Sequence, residues 1–182
     1  MTPVGYMAKK TVKRPDWLQA TAVEDIYSVS GCISRYFADY IKYWRHNGYW
    51  FFDSIESIRS LAREYSIQLE GCKLFYYEVF DREFNDENRM WQPFGPEKSF
   101  KTSVVLPAEK QLEGFDVVTF SAHTGPECSP LSCNGIATTV PTNRRCLLGT
   151  FDETRALVEA GAFDKSEPGP FRIFAVYSID DN

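Results

Sequence analysis

A chain of 182 residues with 43% hydrophobic and 25% charged content has enough apolar material for one globular domain with a core, and too much for a disordered chain. Its formal net charge of -5 argues against general nucleic-acid binding, and no apolar run reaches membrane-spanning length. The opening MTPVGYMAKKTVKRPDW lacks the apolar stretch of a secretory signal, so a cytoplasmic protein is expected.

Lys9, Lys10, Lys13 and Arg14 precede the first acid, Asp16, leaving 16 basic against 25 acidic residues in the remainder. Charge and terminal position predict a flexible basic tail over 1–15, ahead of a single domain over 16–182. In VEDIYSVS (23–30) the alternation of side chains predicts a strand ending at Gly31. ISRYFADYIKYW follows with a helical period: Ile33, Phe37, Tyr40, Ile41 and Trp44 share a face, Ser34 caps the start, and His46-Asn47-Gly48 stops it. YWFF (49–52) is a short buried strand candidate.

Ser54 then stands ahead of a stripe of Ile55, Ile58, Leu61, Ala62 and Tyr65, with Glu56, Arg59, Arg63 and Glu64 on the other side, which predicts an amphipathic helix. Asp53 and Glu56 also have capping-box spacing. CKLFYYEVF (72–80) predicts an aromatic strand, and the polar run 81–99 an exposed connection. Strands are expected at 99–106 and 115–122, around the loop PAEKQLEG. In ECSPLSCNGIA (127–137), prolines and glycines exclude a long helix and predict an irregular, ordered segment. TFDE (150–153) is a second capping box and opens a helix that Gly161 ends. EPGP (167–170) predicts a turn and FRIFAVYSI (171–179) a closing strand.

The two halves of the chain look alike. Asn47, Phe51, Phe52, Ser54, Arg59 and Leu61 meet Asn143, Leu147, Leu148, Thr150, Arg155 and Leu157 at a constant shift of 96, as Cys32 meets Cys128. The expected fold is α+β: a mixed, largely antiparallel sheet with helices packed on it, built from two strand-helix-strand halves at 22–84 and 99–182.

Five cysteines, Cys32, Cys72, Cys128, Cys133 and Cys146, are an odd number at irregular spacing, and point to reduced thiols rather than a disulfide scaffold. A metal reading takes His123, Cys128, Cys133 and Cys146, because thiolate and imidazole suit zinc, but no paired C-x-x-C supports it and buried structural thiols explain the count. A nucleophile reading takes Cys133 or Ser132 with His123 as base and Asn134 or Asp116 as its orienting partner. Glu78 shares a strand face with Leu74, Tyr76 and Phe80, so burial would make it an acid or base, while a surface position or pairing with an arginine is the plainer alternative.

One helix cannot bury all of Tyr36, Tyr40, Tyr43 and Trp44 on one face. With Trp50, and with Ser129, Ser132 and Asn134 of the central loop, they form a candidate binding surface for a protein partner, a small molecule or a second copy of the chain as a homodimer. The leading expectation is a soluble binding protein that needs no cofactor. A Cys133/His123 hydrolase or transferase and a zinc-stapled domain are the alternatives.

Overall fold

The computed structural model describes residues 1–33, 46–119 and 128–179. In chain order its elements are β1 (Thr2–Lys9), β2 (Val12–Lys13), β3 (Asp25–Ile26), α1 (Ile55–Glu64), β4 (Lys73–Asn85), β5 (Met90–Pro93), β6 (Gln111–Thr119), α2 (Pro130–Cys133), a 3-10 turn (Ile136–Thr138), α3 (Phe151–Glu159) and β7 (Phe171–Ile179). The main sheet runs β1-β4-β7-β6 with every pairing antiparallel, and β5 adds to β4 as a hairpin. Helices and antiparallel strands together make the α+β class that the sequence predicts. Among the described residues no helix is long and apolar enough to cross a membrane.

The segment expected as a basic tail is largely a strand. Val4, Tyr6 and Ala8 are buried on β1, which pairs with β4 from Thr2↔Val79 to Lys9↔Lys73. The four cations suggested solvation, but Lys9 is itself only 1% exposed. Other bounds differ as well. Within 23–30 only Asp25–Ile26 pairs as a strand, because the following residues spend their backbone groups on side chains. The polar connection over 81–99 contains the end of β4 and all of β5. No strand forms at 99–106: Val105 and Leu106 are exposed, and the segment is held by single contacts such as Val105 N–H to the Asp53 carbonyl at 2.9 Å. The helix expected over 33–44 lies, apart from Ile33, outside the described residues.

Both described long helices start where their caps predict. Ser54 Oγ accepts the Ser57 N–H at 3.1 Å, and Thr150 Oγ1 accepts the Glu153 N–H at 3.2 Å. Asp53 is not the cap: its carboxylate accepts from Asn47 Nδ2 at 2.9 Å. Ile58, Leu61 and Ala62 of α1 enter one apolar core with Phe51, Phe75, Tyr77 and Phe174. Val158 of α3 enters another with Leu131, Leu148, Phe163 and Ile173.

Two turns ahead of these helices are built alike. Asn47 Oδ1 accepts the N–H groups of Tyr49 and Phe51 at 2.9 and 3.2 Å while its Nδ2 donates to the Val4 carbonyl at 2.9 Å. Asn143 repeats this with Arg145 and Leu147 at 2.8 and 3.2 Å and the Glu113 carbonyl at 2.7 Å. Each turn then bridges to an outer strand, Phe52 to Tyr6 and Leu148 to Phe115. The close approach needs glycine one position earlier: Gly5 and Gly114 have φ of +126° and +144°, and a Cβ there would lie 2.3 and 2.7 Å from the carbonyls of Phe52 and Leu148.

Candidate functional site

The loop after β3 and the segment that opens α2 are drawn together by buried polar groups from the two edge strands. Lys9, near the end of β1, donates from Nζ to the carbonyls of Ser28, Val29 (3.2 Å) and Ser30 (2.7 Å). Asp116 on β6, fully buried, accepts at Oδ2 from the Val29 N–H at 2.8 Å and from Ser129 Oγ at 2.7 Å. Ser129 Oγ in turn receives Ser28 Oγ at 2.7 Å and the Ser30 N–H at 3.3 Å. One donor and two acceptor positions of that hydroxyl are thereby used. Asp116 Oδ1 has no hydrogen-bond partner among the described residues.

Each charge feels its burial. Desolvation pushes the Asp116 carboxyl up to about 7, against the opposing hydrogen bonds from Ser129 and Val29. Desolvation also pulls Lys9 down to about 7, opposed first by the Asp116 carboxylate. The ammonium form of Lys9 is the one that uses the surrounding carbonyls as acceptors.

The frame brings three sulfurs together. Sγ atoms of Cys32, Cys128 and Cys133 all lie within 4.8 Å of one another. Cys32 is exposed, Cys133 partly buried and Cys128 buried, so the cluster opens to solvent on one side. Hydrogen bonding within the trio, from Cys128 first and Cys133 second, holds the Cys32 thiol well below its ordinary range, whereas the contacts of Cys128 with Cys133 and Cys32 push its thiol up. For Cys133, hydrogen bonding from Cys128 lowers the pKa, but donation to Cys32 and burial outweigh it and the net shift is upward. Asn134 Oδ1 accepts from Cys128 Sγ at 3.1 Å, and its Nδ2 donates to Glu167 at 3.3 Å.

Other sequence-predicted residues fall in different places. His123 lies outside the described residues, as do Tyr36, Tyr40, Tyr43 and Trp44. Cys146, 2% exposed, packs in the second apolar core and stays outside the trio, where Cys32 stands instead. Ser129 and Ser132 are buried, so Ser129 serves as a hydrogen-bond hub rather than as a solvent-facing contact. Glu78 is paired with Lys110, and Tyr177 Oη donates to it at 3.0 Å, which makes it part of a surface ion pair on the sheet. Trp50 stacks with His46 at a ring separation of 4.1 Å. Cys32, Lys9, Ser28 and Ser30 carry no local chemical motif; for Cys32 the sequence signal is the shift of 96 that aligns it with Cys128. Comparison of the chain with protein-family models, with curated proteins and with solved structures yields no match.

Proposed function

We propose that the protein binds a thiophilic metal ion through Cys32, Cys128 and Cys133. The observation that carries this reading is the convergence of three sulfurs, from segments about a hundred residues apart in sequence, to within 4.8 Å of each other. Three thiolates are ligands for soft and borderline cations such as zinc and copper(I), and not for calcium or magnesium, which take oxygen. Lys9, Asp116, Ser28 and Ser129 fix the two ligand loops before any ion arrives, so little ordering remains to oppose binding. None of the five cysteines is paired in a disulfide, in keeping with a reducing compartment such as the cytoplasm.

The test is metal retention by the reduced chain. Elemental analysis after zinc loading and gel filtration should give one ion per chain in the wild type and in Cys72→Ser, and less than a tenth of that in Cys133→Ser. Equal retention by wild type and Cys133→Ser counts against the site.

A second reading, capture of a protein or small ligand by an aromatic surface, draws support from His46, Trp50 and Phe100. Their rings lie 4.1 to 5.9 Å apart, and Trp50 with Phe94 and Lys98 lines a hollow of about 400 Å³. Trp50→Ala should abolish partner capture while leaving zinc retention intact if that surface is used. Unchanged capture removes it.

A further inference from the structure

Resting on the metal-binding reading, we infer that the ion is a divalent cation of the zinc class held by the three thiolates alone, its fourth position open to solvent beside Cys32 and filled by a water that neutral nitrogen donors displace. Three observations lead there.

The first is the ligand count. Among the described residues no fourth histidine, cysteine, aspartate or glutamate joins the group of three within 4.8 Å. Asp116, the carboxylate of the frame, spends its Oδ2 on Ser129 and Val29 and is not in the group whose ligand atoms lie within 4.8 Å. Zinc-class ions are almost always four-coordinate, and a site with three protein ligands completes its tetrahedron with water or substrate.

The second is the gradient of exposure. Cys128 is 6% exposed, Cys133 intermediate and Cys32 exposed. An ion seated on these sulfurs has protein behind it and solvent in front, so the remaining coordination position faces water. Closed structural sites have no such face.

The third is charge. Three thiolates around a divalent ion carry a net charge of about -1, because each thiolate is a single negative charge. The Lys9 side chain, buried behind the 28–30 loop with Nζ on the carbonyls of Val29 and Ser30, two residues before Cys32, supplies a positive charge that offsets it. A monovalent ion would leave more uncompensated negative charge beside the buried Cys128 and Asp116, and a trivalent ion an excess positive one.

The rim narrows the incoming ligand. Glu167 accepts from Asn134 Nδ2 at 3.3 Å while Asn134 Oδ1 contacts Cys128 Sγ at 3.1 Å, which sets a carboxylate at the edge of the cluster. The same carboxylate disfavours a second anion at the open position, whereas a neutral donor such as imidazole meets no such repulsion. Imidazole then replaces the bound water, with no change in metal charge or in the thiolate set.

Cobalt(II), which takes zinc sites and reports its ligands by absorption, tests this on the full chain. The expected result is one cobalt per chain with a sulfur-to-cobalt charge-transfer band, and visible d-d bands that shift as imidazole is added. Azide should shift them at a concentration at least tenfold higher than imidazole, and Glu167→Gln should narrow that gap at least threefold. Bands unmoved by saturating imidazole would overturn the open position. His123→Ala then identifies the occupant, since bands that become responsive in that variant name His123 as a fourth ligand. Failure of cobalt to bind, with no charge-transfer band, sinks the metal reading itself and is distinct from a bound but closed site. Copper(I) displacing equimolar zinc in a three-sulfur shell by X-ray absorption would overturn the choice of ion while leaving the trio standing.

Discussion

Lys9 and Asp116, on the two opposite outer strands of the main sheet, hold the two polar ends of a single residue: Val29 gives its carbonyl oxygen to Lys9 Nζ at 3.2 Å and its N–H to the Asp116 carboxylate at 2.8 Å. Neither contact is available to a loop that has moved away from either strand. The arrangement ties the 28–32 loop to both edges at once and sets where Cys32 stands relative to Cys128 and Cys133.

Removing the ammonium should therefore loosen the cluster. Lys9→Met keeps the length and apolar stem of the side chain but leaves the carbonyls of Ser28, Val29 and Ser30 facing an apolar group. A buried acceptor left unsatisfied costs about 1–3 kcal/mol, and here several are affected. Urea denaturation of the metal-free protein should register a loss at the upper end of that range, and zinc retention should fall with it. A variant as stable as wild type would show that the loop is held by other means.

Asp116 gives the fold a pH dependence of a definite sign. Its folded pKa of about 7 stands above the ordinary 3.8, so the native state holds this proton more tightly than the unfolded chain. The associated stabilisation is complete below the unfolded value and is lost as pH rises through the folded one. Lys9, Cys133 and Cys146 are the titratable groups that sense Asp116 or are sensed by it. Relative to Asp116→Asn, which cannot titrate, the urea midpoint of the metal-free wild type should decline between pH 4 and pH 7. A constant difference between the two proteins across that interval contradicts the buried carboxyl.

Glycine is required where the turns meet the outer strands. Gly5→Ala puts a methyl 2.3 Å from the Phe52 carbonyl at φ +126°, and Gly114→Ala puts one 2.7 Å from the Leu148 carbonyl at φ +144°. Backbone cannot yield as a side-chain tip can, and L residues rarely adopt these angles. Both variants should lose more than the ~1 kcal/mol of an ordinary glycine substitution, with Gly5→Ala the worse of the two by thermal melt. The reverse order would mean that β1 shifts more easily than β6.

The helix caps separate two neighbouring residues by role. Ser54→Ala removes the acceptor for the Ser57 N–H and should cost about 1 kcal/mol, as should Thr150→Ala at α3. Asp53→Ala leaves the cap alone and instead deprives Asn47 of a partner. A double-mutant cycle between Asp53 and Asn47 should show coupling, and one between Asp53 and Ser57 should not.

Much of this fold was written locally. FRIFAVYSI forms β7 with the predicted bounds, because an alternating apolar run next to a turn has few other outcomes. TFDE caps α3 as its spacing predicts, with Thr150 Oγ1 also donating to Glu153 at 2.9 Å. β1 is hidden in the sequence because Lys9, by residue type, belongs in water, and only the carbonyls of a loop nineteen residues later make its burial tolerable. The candidate site was half legible for the same reason. Cys128 and Cys133 drew notice through local spacing, while Cys32 joins them through a contact that no window of sequence contains, and His123, expected beside them, lies outside the described residues.

The trio also has a consequence for the unfolded chain. Ser28 and Ser129, which meet beside the sulfurs, are 101 residues apart. An ion gripping Cys32 on one side and Cys128 with Cys133 on the other is a cross-link across more than half of the polypeptide. By the chain-entropy reckoning, bringing together the ends of a loop of about 100 residues costs an unfolded chain about 4–5 kcal/mol, a cost the folded frame has met before the ion binds. Tight occupancy requires both loops to have docked, so a fragment ending before Cys128 retains one ligand of the three and loses the chelate.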